Sequence, residues 1–132
     1  MLEKTELLKL QSFLCDALGC EDLRVTADAK DEDRATVGLG ERIIASIALD
    51  DEDGDRSFSF AMKIPVGREV LQEYLQRLFE NENLKIMGRA NKTDSVELNS
   101  GSDFLGVISA DDANASSYTL QIAILDFDLE DY

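Results

Sequence analysis

Apolar residues in the second half of the chain recur at helical period: Val70, Leu71, Tyr74, Leu75, Leu78 and Phe79 form one stripe. The first half repeats it with Leu7, Leu10, Phe13, Leu14, Ala17 and Leu18. Each stripe predicts an amphipathic helix. Gly19 is placed to end the first helix as a left-handed cap, and Asn81 or Asn83 to end the second. Gly67, just after Pro65, marks the start of the second helix.

Four strand patterns follow each helix. Residues 23–26 and 84–87 alternate apolar and polar, and residues 35–39 and 95–98 supply a second pair. The third pair, residues 43–49 and 104–109, is apolar on both faces. In the fourth, Phe58, Phe60, Met62 and Ile64 alternate with Ser57, Ser59, Ala61 and Lys63. Tyr118, Leu120, Ile122 and Ile124 alternate in the same way with Thr119, Gln121 and Ala123.

These parallels are one duplication. At a shift of about sixty positions, Leu10-Gln11-Ser12-Phe13-Leu14 lies over Leu71-Gln72-Glu73-Tyr74-Leu75, and Leu23-Arg24-Val25 over Leu84-Lys85-Ile86. Ile43-Ile44-Ala45-Ser46-Ile47 lies over Phe104-Leu105-Gly106-Val107-Ile108. Two copies are too few for a solenoid, so a pseudo-twofold pair is expected. The fold class is α+β: two tandem helix-plus-four-strand (αββββ) units, residues 1–65 and 66–132, packed into one compact pseudo-dimeric body. The sheets are antiparallel, with helices on one face. Because the third strands are apolar on both faces, the sister unit is expected to cover part of the other face.

Charge narrows the function classes. With 28 Asp+Glu against 13 Lys+Arg and no histidine, the chain carries 15 net negative charges, which disfavours phosphate backbones and anionic membranes. At 44% hydrophobic residues it can nonetheless fill a core, unlike a disordered acidic tail. No apolar run approaches the roughly 18 residues of a membrane span, and residues 1–6 lack a signal-peptide pattern, so a cytoplasmic protein is expected. Cys15 and Cys20 have neither redox nor zinc spacing and read as free thiols.

Catalytic chemistry finds little support. Without histidine, a serine or cysteine nucleophile lacks its usual base, and no carboxylate pair stands out among so many. No phosphate-cradling loop is present, and no cofactor is expected. The run Asp50-Asp51-Glu52-Asp53-Gly54-Asp55 resembles a calcium loop, but with Gly54 at position six the first and twelfth ligands become Leu49 and Phe60. A hairpin turn with an Asp-Gly signal fits better, so no metal site is assigned.

The C-terminal stretch offers one candidate. Asp126, Phe127, Asp128 and Leu129 continue the last strand with alternating acidic and apolar residues. They either pack Phe127 and Leu129 onto the chain's own sheet or form an edge that docks a basic partner segment by strand addition.

Each half is similar to a family of small, single-unit alphaproteobacterial proteins known only as a domain of unknown function. The resemblance is carried by Leu71-Gln72-Glu73-Tyr74-Leu75, Asp94-Ser95-Val96-Glu97, Phe104-Leu105-Gly106-Val107 and the stretch from Ser117 to Leu129. The first half departs from it at Pro65 and Gly67, where the closing Leu-Asp-x-Asp-Leu is lost. The resemblance implies a bacterial cytoplasmic protein and no assigned activity. The sequence thus predicts a non-enzymatic, acidic protein-interaction module, adaptor or chaperone-like, as a monomer with internal pseudo-twofold symmetry or a weak dimer. The alternative is a regulator that binds a small molecule in the cleft between the repeats.

Overall fold

The computed structural model describes the backbone of residues 1–51, 56–89 and 92–132, and the side chains of these except 89, 92 and 93. Helix α1 (Lys4–Leu18) leads into β1 (Leu23–Ala27), β2 (Arg34–Leu39), β3 (Arg42–Asp50) and β4 (Ser57–Ile64). A 3-10 turn (Arg68–Val70) opens the second unit, followed by α2 (Leu71–Leu78), β5 (Leu84–Arg89), β6 (Lys92–Ser100), β7 (Asp103–Ala110) and β8 (Tyr118–Leu125). A closing 3-10 turn spans Asp126–Leu129.

All eight strands form one antiparallel sheet in the order β1-β2-β3-β4-β8-β7-β6-β5. The two units meet edge to edge through β4 and β8. Phe58 pairs with Ile124 and Ile64 with Tyr118, which are equivalent pairs in the two repeats. Between them Ala61 pairs with Gln121, its own repeat counterpart, so the pseudo-twofold axis passes through that pair.

Strand alternation decides which face is covered. Phe58, Phe60, Met62 and Ile64 are buried with Tyr118, Leu120, Ile122 and Ile124, in one core that also holds Leu10, Leu14 and Leu18 of α1 and Leu71, Leu75 and Phe79 at α2. Both helices therefore lie on the same face. The opposite face carries Ser59, Lys63, Gln121 and Ala123, all exposed. The expectation that the sister unit covers this second face is corrected: β4 and β8 satisfy each other's backbone instead. The misleading apolar runs arise at two matched bulges, where the β2–β3 register shifts at Val37/Gly38 and the β6–β7 register at Leu98/Asn99. Ile43 and Phe104, beside these bulges, are 72% and 58% exposed.

The helix ends also differ from expectation. Gly19 takes the left-handed conformation (φ 65°), but the matching residue in the second repeat is Glu80 (φ 52°), not Asn81 or Asn83. Asn81 is engaged elsewhere: its Nδ2 donates to the Leu18 carbonyl at 2.8 Å, tying the end of α2 to the end of α1. Its Oδ1 accepts from the Asn83 N–H.

Strands β3 and β4 form a hairpin whose last pair is Asp50 with Ser57. Residues 52–55 of the acidic run, and with them both the calcium-loop comparison and the expected Asp-Gly turn, lie outside the described residues.

Candidate binding groove

The C-terminal stretch is placed differently from the strand edge expected of it. β8 lies between β4 and β7 and ends at Leu125, where the chain turns away at Asp126. The expectation that Asp126, Phe127, Asp128 and Leu129 continue the last strand is corrected: they form a 3-10 turn. Leu129 is buried in the core, whereas Phe127 is 62% exposed and does not pack on the sheet. Asp128 Oδ2 accepts the Leu125 N–H at 2.9 Å and fixes the turn. Of these four residues, only Asp128 lines the groove described next.

That groove lies where the sheet opens between β7 and β8 of the second repeat. The β7–β8 ladder ends at Val107 paired with Gln121, so the β7-facing side of residues 122–125 has no strand partner. Gly106 sits at the point of divergence, with its backbone against the Gln121 carbonyl. Its counterpart in the first repeat is Ala45. The far wall is α1 of the other repeat, which presents Phe13, Asp16 and Ala17 at i, i+3 and i+4.

The resulting groove has a volume of about 750 Å³. Its apolar lining includes Phe13, Ala17, Phe104, Leu105, Val107 and Ile122, and its acids are Asp16, Asp103 and Asp128. Tyr132 also lines it. Its ring meets Phe13 edge to face at 5.9 Å, and its hydroxyl donates to Asp16 Oδ2 at 2.5 Å. That hydrogen bond, burial and the Asp16 charge push the Tyr132 phenol up to about 12.

The groove residues other than Asp128 escaped the sequence reading. A signal for two of them is nevertheless present in the repeat alignment. Asp16 lies over Arg77 and Asp103 over Arg42, so the charge inverts between copies at these two positions.

Neither cysteine forms a disulfide. The Cys15 thiol donates to the Leu23 carbonyl at 3.6 Å, and burial pushes its pKa up, so it is a poor nucleophile.

The sequence matches the family described as Protein of unknown function (DUF3126) twice, over residues 6–65 and 69–128. The chain belongs to the DUF3126 family. Here the family unit occurs in tandem, and the two copies share one sheet. No curated protein and no solved structure matches the chain.

Proposed function

We propose that this tandem DUF3126 chain is a non-enzymatic interaction module that docks a basic-apolar segment of another protein in the groove between its repeats. One observation carries the reading: the groove joins an apolar wall and three aspartates to a stretch of β8 without a strand partner. Apolar side chains of a segment would bury against Phe13, Phe104 and Leu105. Lys or Arg would meet Asp16, Asp103 and Asp128, and the segment's backbone could add to β8 over two or three residues. The 15 net negative charges would speed encounter with a basic partner. A bacterial cytoplasmic setting, which the resemblance implies, is part of the same reading.

Capture from native bacterial extract, using the wild-type chain and Asp16→Asn/Phe104→Ser in parallel, tests it. A stoichiometric protein held by the wild type, released by salt and absent from the variant supports the reading. The same protein held equally by both would remove the groove from the binding surface.

A second reading has its own support. The volume of about 750 Å³ lies in the range of small-ligand sites, so a compact amphipathic cation could occupy the same groove. Empty capture together with a small molecule co-purifying with the wild type would favour it.

A further inference from the structure

The pseudo-twofold axis gives the acidic groove a mate on α2. There Tyr74, Arg77 and Leu78 occupy the positions that Phe13, Asp16 and Ala17 hold on α1, and Arg42 at the start of β3 stands where β7 has Asp103. Val66 and Val70 of the connecting segment complete an apolar floor, and the volume is about 440 Å³. No residue plays the part of Tyr132 among those lining it, and Val70 remains exposed. The two grooves thus share four equivalent positions, with Asp16 and Asp103 in the first replaced by Arg77 and Arg42 in the second. The second lacks the β7–β8 floor and also has Glu73 in its lining.

We infer that the α2 groove binds a small apolar monocarboxylate, held by Arg42 and Arg77 with its body against Tyr74, Leu78, Val66 and Val70. Two guanidinium groups offer planar, paired donors that match a carboxylate. The Arg42 side chain makes no ion pair or hydrogen bond with any described residue. Arg77 pairs with Glu73 at 2.7 Å, but the two side chains are 80% and 58% exposed, and such a pair exchanges at little cost.

Size and charge select a small acid over an acidic protein segment. The groove's volume lies in the small-ligand range. A monocarboxylate carries one charge towards a body bearing 15 negative ones, whereas an acidic protein would bring many and be repelled.

The test is a ¹⁵N chemical-shift titration of the full chain with a matched pair of probes, 4-phenylbutyrate and 4-phenylbutylamine. The acid is expected to move the amides of Val66, Val70, Tyr74 and Leu78 saturably at millimolar concentration, and the amine to leave them in place. The double variant Arg42→Asp/Arg77→Asp, which installs the acids the other repeat already carries, is expected to weaken acid binding at least about tenfold. Equal shifts with the amine, no shifts with the acid up to about 10 mM, or unchanged binding in the variant would overturn the inference. A peptide ending in a free aromatic carboxylate that binds tighter than phenylbutyrate would overturn the choice of a small acid. The acid–amine comparison uses only the wild-type chain, so it stands even if the variant fails to fold.

Discussion

Gln11 and Gln72 make the same bond from matching positions on the two helices. Each Oε1 accepts a backbone N–H at 3.0 Å, that of Val25 for Gln11 and that of Ile86 for Gln72. Both acceptors serve the outermost strands, β1 and β5, whose outer backbone groups are a template for pairing with another chain. The glutamines fix each helix over its sheet and blunt the edge in one contact. Replacing either by Ala is expected to cost about 1–2 kcal/mol, read as a lower denaturation midpoint, and to increase concentration-dependent light scattering. The edges are about 33 Å apart across seven strand spacings, so the two effects should add.

Glu80 occupies a left-handed conformation that Gly19 adopts freely in the first repeat. Glu80→Gly is therefore expected to stabilise the chain by about 0.5–1 kcal/mol in thermal or chemical denaturation. Gly19→Ala should destabilise by more than that. Besides the positive φ, its Cβ would lie 2.5 Å from Asn81 Nδ2 and disturb the bond that joins the two helix ends.

Stability should fall at both extremes of pH, for different reasons. Burial alone would raise the Glu6 carboxyl, but two bonds from Arg56 and one from the Glu3 N–H hold it below its ordinary 4.5. A lowered folded pKa contributes stability above pH 4.5 that is lost as pH falls through the folded value. Tyr132 has the opposite sign. Its phenol is raised from 10 to about 12, so its contribution is complete below pH 10 and is lost as pH rises through about 12. A ¹³Cζ titration of Tyr132 should show the late ionisation, and Asp16→Asn should return it towards 10. Ionisation of Tyr132 near pH 10 in the wild type would deny the Asp16 bond.

The axis through Ala61 and Gln121 bears on truncation. A fragment of residues 1–65 exposes the whole of β4, which in the intact chain pairs with β8 from Ser57 to Ile64. Such a fragment is expected to dimerise through β4, with Ala61 facing Ala61, or to remain unfolded. A folded, dilute monomer by sedimentation would contradict the shared-sheet architecture.

Helices, strands and the duplication were legible because burial imposes its period directly on the sequence: 3.6 along α1 and α2, two along β4 and β8. How the units join was not. Apolar residues on both faces of β3 and β7 pointed to a covered second face, whereas matched bulges leave Ile43 and Phe104 exposed beside them. The helix-two cap was misplaced because Asn81 favours a left-handed turn by type, yet its amide serves Leu18 while Glu80 bears the positive φ. Of the groove, the sequence reading reached only Asp128. Phe13 and Asp16 line one groove with Gly106 and Ile122 from the other repeat, a juxtaposition that no local pattern encodes. The inversion of Asp16 to Arg77 and Asp103 to Arg42 was readable, but it acquires meaning only once each pair is seen to line a groove.

The most direct test of the docking groove is a ¹⁵N chemical-shift titration with an extended Lys-Leu-Lys-Leu-Lys peptide against its Glu-Leu-Glu-Leu-Glu counterpart. The basic peptide is expected to move the amides of Gly106, Val107, Ile122 and Ala123, less so as salt rises, and the acidic one to leave them unchanged. Shifts confined to other surfaces, or equal shifts with both peptides, would contradict the account.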